Sequence, residues 1–269
     1  MKLSEINIYP IKSLAGIRLE SALVEDRGLQ FDRRWMLVDE DRKFITQRVV
    51  PKMALVKMAV DGSGLTASVN GDSFLVTSDL TTGETDVVDI FGISVAGVEF
   101  YPKEVDDWFS LAIGSRCRLV LMPETTKRFV HPDAAVRKFQ DTVSFADAYP
   151  FLLIGETSLA DLNSRLDTPV PMNRFRPNFV VSGSEAFEED TWKRIRIGST
   201  EFHLVEPCAR CVLTTVDQTT GEKEGKEPLK TLASYRTQNG NVLFGENLIA
   251  ETAGGTVRAG DDVEVLEKN

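Results

Sequence analysis

Cysteine and histidine are the scarcest reactive residues in this chain of 269: three cysteines, at 117, 208 and 211, and two histidines, at 131 and 203. Three thiols make no disulfide framework, and a reducing cytoplasm is the natural compartment. A structural zinc site needs four Cys or His ligands, which five such residues scattered along the chain do not readily supply. No stretch reaches the roughly 18 apolar residues of a membrane span, and MKLSEINIYPIKS has no apolar run of signal-peptide length, so neither membrane nor export is expected. Positive charge is also short. Lys and Arg number 31 against 41 Asp and Glu, and a net charge of −10 argues against a nucleic-acid or anionic-membrane surface.

What remains is an ordinary globular composition, 42% hydrophobic and 27% charged, without repeats or biased tracts. Its length fits about two domains. Short runs rich in β-branched and aromatic residues (KLSEINIYP, RWMLVDE, KMALVKMAV, GLTASVN, SVAGVEFYP) alternate with turn clusters in the first half, the pattern of an antiparallel barrel or sandwich. EVDDWFSLAIG, residues 104–114, reads as a helix with Val105, Trp108 and Phe109 on one face and Gly114 at its end. The polar stretch from residue 123 marks an expected boundary between domains 1–122 and 123–269. Beyond it follow the strand PFLLIG, a helix ETSLADLNSRL capped by Thr157 or Ser158, strands FVVSG, KRIRIG, EFHLVE and CVLTTVD, and a helix EPLKTLASYR with Pro228 in its first turn. GGTVRAGDDVEVLE closes the chain as strand, turn, strand. The fold class is therefore mainly β (α+β), with few helices.

EPCARCVLTTVDQTTG, residues 206–221, carries two of the three cysteines. In an extended backbone residues i and i+3 face opposite ways, so Cys208 and Cys211 share one metal only if Pro207 bends the chain. A thioredoxin-type pair should open a helix, whereas a β-branched run follows here. Two readings stay open: buried thiols of the core, or one thiolate on a soft metal centre with the other as neighbour.

Five ordered segments then resemble one family: YPIKSLAG (9–16), DRRWMLVD (32–39), RFRPNFVVSG (174–183), PCARCVLTTVD (207–217) and EPLKTLASYR (227–236). Together they are similar to the MOSC family, in its arrangement of an N-terminal MOSC β-barrel domain followed by a MOSC β-barrel domain. That group includes the mitochondrial amidoxime reducing components. The resemblance implies a molybdenum cofactor, a pterin dithiolene with a phosphate, and reduction of small N-hydroxylated compounds. It implies Cys211 as the molybdenum ligand. It places cofactor binding on Lys12, Ser13, Arg33, Arg176 and Asn178, with Arg48 of ITQRVVPK as an addition. Asp147 of SFADAYPFLLIG is expected to orient an oxygen ligand or pass protons, although an Asx turn before the strand explains it equally well. His131 and His203 are assigned no role. No four-cysteine ferredoxin set is present, so the expected electron donor is a separate ferredoxin- or flavoprotein-type protein. The alternatives are a non-catalytic cofactor carrier, a sulfur-transfer module of the kind that relatives join to a pyridoxal-phosphate desulfurase, and a thiol oxidoreductase.

Overall fold

The structure, a computed structural model, describes residues 1–61, 64–130, 141–223 and 225–269. His131 lies outside them. Among the described residues three α-helices accompany a strand-dominated chain, as expected.

The largest sheet has nine strands. Its order runs Val263–Lys268, Trp192–Ile197, Thr200–Ala209, Asn241–Ala250, Phe151–Gly155, Phe179–Ser182, Lys2–Ile8 and Ile17–Leu19, with Thr237–Gln238 paired on Asn241–Ala250. Both stretches of the chain, 1–122 and 123–269, thus contribute to it. Leu3 donates its backbone N–H to the Asp261 carbonyl at 2.9 Å and its own carbonyl accepts from Gly260 at 2.7 Å, so the Lys2–Ile8 strand meets the chain's end and the sheet curls round on itself. Closure of this kind leaves few bare edges. Phe151–Gly155 and Phe179–Ser182 are parallel, and a parallel neighbour requires a crossover: α2, Glu156–Ser164, lies within it. Inside the curl Phe151, Phe179 and Phe202 pack ring to ring at 5.3–5.6 Å. Leu3, Ile6, Ile195 and Leu248 complete the same core.

A second core sits under α1, Lys103–Ile113. Val105 and Phe109 are fully buried, Trp108 is partly so, and Gly114 ends the helix at φ 68°, as the sequence predicts.

Three local expectations fail for identifiable reasons. KMALVKMAV is a strand only from Lys57, because Pro51 starts a 3-10 turn over Pro51–Leu55. Neither Thr157 nor Ser158 caps α2: Thr157 Oγ1 donates to the Ser184 carbonyl at 2.9 Å and Ser158 Oγ to Glu189 Oε1 at 2.6 Å. CVLTTVD is not a strand. Val212–Thr215 is a 3-10 turn, in which the Thr214 and Thr215 hydroxyls donate back to the carbonyls of Cys211 (3.0 Å) and Val212 (2.8 Å). Local hydroxyl bonds of this kind compete with a sheet ladder and here override β propensity.

Candidate functional site

The YPIKS and DRRW segments are sewn together by backbone hydrogen bonds. Lys12 donates to the Trp35 carbonyl (2.8 Å), Arg33 to Tyr9 (3.0 Å) and Trp35 to Pro10 (3.1 Å), and Phe145 adds a third strand of chain by donating to Arg33 (2.9 Å). Ser13 (φ 67°), Arg33 (φ 50°) and Arg176 (φ 57°) all sit in the left-handed region without being glycine. Strain of this kind persists only where surrounding contacts enforce it, and it clusters at functional sites.

These residues line a cleft of about 230 Å³ together with Asp147, Asn178 and Cys211. Seven of the eight sequence-predicted site residues therefore converge. The eighth, Arg48, stands just outside, with Nη2 4.0 Å from Asp147 Oδ2. His203 is elsewhere, its Nε2 2.6 Å from Glu251 Oε2.

The Tyr9 ring is the platform. The guanidinium carbons of Arg33 and Arg176 lie 4.3 and 4.1 Å from its centroid, a cation–π arrangement, and its hydroxyl donates to the Pro177 carbonyl at 3.1 Å. A Cβ on Gly16 would come within 2.5 Å of that ring, which is why YPIKSLAG ends in glycine. Arg33 Nη1 donates to Asp32 Oδ2 (2.6 Å) and Asn178 Oδ1 (3.1 Å). Arg176 Nη1 donates to the Leu14 carbonyl (2.7 Å), while its buried Nη2 has no partner. Burial pushes the Arg176 pKa down to about 10, leaving it a cation at neutral pH.

Lys12 is almost fully buried. Its ammonium donates to Asp147 Oδ1 and, at 2.7 Å, to the Phe145 carbonyl. Burial pushes its pKa down to about 8 against the pull of Asp147. For Asp147 burial acts to raise the pKa, but Lys12, then Arg48 and Arg33, outweigh it and hold the carboxyl at about 2. Its side chain remains 58% exposed to the cleft, so water screens these fields in part. Raising pH through about 8 removes the Lys12 charge while Asp147 stays ionised. Sulfate, whose charge is constant over that range, should accordingly bind less tightly above pH 8 than below it. Calorimetric titration across pH 6.5–9.5 checks this: Lys12→Met should flatten the dependence, and an unchanged slope in the variant would assign it to another group.

Three residues escaped the sequence reading. Arg210, between the two cysteines, donates from Nη1 to Cys208 Sγ (3.1 Å) and from Nη2 to the Phe175 carbonyl (2.7 Å). Its place inside CARC was the available signal. Arg128 donates to the carbonyls of Ser144 (2.8 Å), Ala146 (2.5 Å) and Asp147 (2.7 Å) and so shapes the loop that presents Asp147. Gln47 Nε2 donates to the Ser13 carbonyl (2.8 Å). Nothing local to either sequence segment marks them.

Cys208 and Cys211 both line the cleft, which corrects the opposite-faces expectation: its premise, a straight strand, ends at Ala209. Among the described residues no group of three or more His, Cys, Asp or Glu is arranged to hold a metal.

The MOSC N-terminal beta barrel domain model matches residues 1–116, and the MOSC domain model matches residues 140–264. Mitochondrial amidoxime-reducing component 1 of Homo sapiens is 34% identical over 98% of this chain and 82% of its own length. The chain belongs to the MOSC family. Mitochondrial amidoxime reducing component 2 of Rattus norvegicus is 38% identical over 97% of this chain and 82% of its own. The molybdenum cofactor sulfurase of Oryza sativa subsp. japonica is 36% identical over 90% of this chain but only 32% of its own. Lys12, Ser13 and Arg33 fall in the MOSC N-terminal barrel match, whereas Asp147, Arg176, Asn178 and Cys211 fall in the MOSC match. The cleft is therefore built by both parts of the family arrangement.

Proposed function

We propose that the chain reduces small N-hydroxylated compounds with a molybdenum cofactor held at Cys211, taking electrons from a separate ferredoxin- or flavoprotein-type donor. The observation that carries this reading is one cleft in which a thiol faces cations from both family segments. A single thiolate makes no metal site alone. A metal here must bring its own further ligands, as a dithiolene does. The donor set fits such a group: a soft sulfur at Cys211 beside Lys12, Arg33 and Arg176 for an anionic tail, with the unpartnered Nη2 of Arg176 in reserve.

When bound, the cofactor supplies the two-electron redox chemistry. The remaining work belongs to the protein. Converting N–OH to N–H takes two electrons and two protons and releases water, so groups that hold protons near neutral pH matter. Lys12, with a pKa of about 8, is such a group, and Asp147 holds it at the cleft. Asp147, ionised at all working pH, accepts hydrogen bonds only and orients the N–H or O–H of a substrate. Arg33 and Arg176, fixed on Tyr9, position the anionic tail. A reducing compartment such as the cytoplasm suits the unpaired thiols at the site.

Cofactor-loaded protein supplied with a reduced viologen should convert benzamidoxime to benzamidine, one molecule per two electrons, followed by chromatography. Tight cofactor binding without product would replace this reading with cofactor carriage. Likeness to part of a cofactor sulfurase favours a second reading, sulfur handling at Cys208 and Cys211, and persulfide labelling of both thiols distinguishes it.

A further inference from the structure

The strands Thr85–Ile90 and Ile93–Phe100 pair through Ile90 and Ile93, so only Phe91 and Gly92 form the turn between them. Both have positive φ, 55° and 81°. Two-residue turns of this type select Asn-Gly or Asp-Gly, because the first position must also be left-handed. A bulky aromatic there is a backbone outlier. Burial does not compensate, since Phe91 is 50% exposed. The turn is nevertheless held firmly: Gly92 donates to Asp89 Oδ1 at 3.1 Å, and Asp89 donates its backbone N–H to the Arg42 carbonyl at 3.0 Å.

The strained ring packs against Phe44 and two cations beside the cleft. It meets Phe44 edge to face, with centroids 4.6 Å apart and planes at 63°. Lys12 Nζ lies 5.3 and 5.7 Å from the Phe44 and Phe91 centroids, and the Arg48 guanidinium carbon lies 5.7 and 5.0 Å from them. Both cations in turn contact Asp147. A partly buried Phe44 and a half-exposed Phe91 thus stand against the two cations that contact the Asp147 carboxylate.

We propose that Phe44 and Phe91 form an aromatic shelf that seats the ring of an aryl N-hydroxylated substrate and so sets preference for aromatic over aliphatic compounds. The shelf rests on the reductase reading above for its substrate class. Contact with a substrate ring accounts for the face of Phe91 left exposed, and the strained turn accounts for why that ring stands at the surface rather than in the core. Phe91 acts by positioning: it touches the substrate's ring and leaves the N–O bond to the cleft.

Phe91→Asn tests this in the holoenzyme, because it deletes the ring while giving the turn its preferred residue. Its melting temperature should equal or exceed that of the parent. KM for benzamidoxime should rise roughly 2- to 10-fold, the effect of one aromatic contact, with kcat and all constants for acetamidoxime unchanged. Saturation-transfer NMR on the ring protons of benzamidoxime, which needs no turnover, should show weaker contact in the variant. An unchanged preference with both substrates still reduced overturns the shelf and leaves the reductase reading standing. An equal fall for both substrates also overturns it. If the parent reduces neither compound, the reductase reading fails, and equal NMR contact in parent and variant overturns the shelf independently.

Discussion

Cys211→Ser is expected to cut the molybdenum retained by protein purified from a molybdenum-replete host by at least about tenfold, since even residues that only support a metal ligand cost 10- to 100-fold when removed. A hydroxyl is a harder and far less acidic donor than a thiol, so it neither matches a soft metal centre nor deprotonates as readily. The fold should not notice. Cys211 is half-buried, stands at the N-cap of the Val212–Thr215 turn, and makes no capping bond there, and serine is among the preferred residues at such a position. Cys208→Ser is the control. Burial raises the Cys208 thiol despite the nearby Arg210, and Arg210 Nη1 already occupies its sulfur at 3.1 Å. Metal analysis of both variants decides the assignment: equal loss from the two would move the ligand away from Cys211 alone.

Asn178→Leu should destabilise the protein by about 2–5 kcal/mol, read as a lower midpoint in urea at unchanged slope. Asn178 is 1% exposed, and its amide is committed on every side. Oδ1 accepts from the Leu152 backbone N–H (3.2 Å) and from Arg33 Nη1 (3.1 Å), while Nδ2 donates to the Asn7 carbonyl (3.1 Å). Leucine fills a similar volume but leaves one buried and one part-buried backbone group and a guanidinium without these partners. Because Arg33 loses its anchor, sulfate affinity should fall along with stability. Loss of affinity without loss of stability would instead make Asn178 a direct ligand contact. The resemblance to the MOSC family assigned it to cofactor binding, and the geometry adds a brace between Lys2–Ile8, Phe151–Gly155 and Arg33.

The elements that were legible share one property: their signals are local. In α1, apolar spacing and a terminal glycine sufficed. Most strands announced themselves through β-branched runs between turns. Of the failures, the first residues of KMALVKMAV were lost to a 3-10 turn begun by Pro51, and the others were contests between local propensity and side-chain hydrogen bonds. CVLTTVD has a strand's composition, but the Thr214 and Thr215 hydroxyls close a 3-10 turn; the preceding strand ends at Ala209, and Cys208 and Cys211 line one cleft. Arg128 and Gln47 were invisible for a different reason, since their partners are backbone carbonyls in distant segments, which no sequence pattern encodes.

Sequence alone determined the strand-rich class and the scarcity of thiols, and its family-like segments pointed to Cys211 and to six other side chains that meet in the cleft. Tertiary structure decided how those side chains behave. Burial brings Lys12 down to about 8 and Arg176 to about 10, a shared Tyr9 ring fixes two guanidinium groups, and a strained hairpin tip sets Phe91 beside Lys12 and Arg48. A side chain's chemistry is written in its residue type, but its charge state and direction depend on desolvation and on neighbours from remote parts of the chain, and these exist only once the chain has folded.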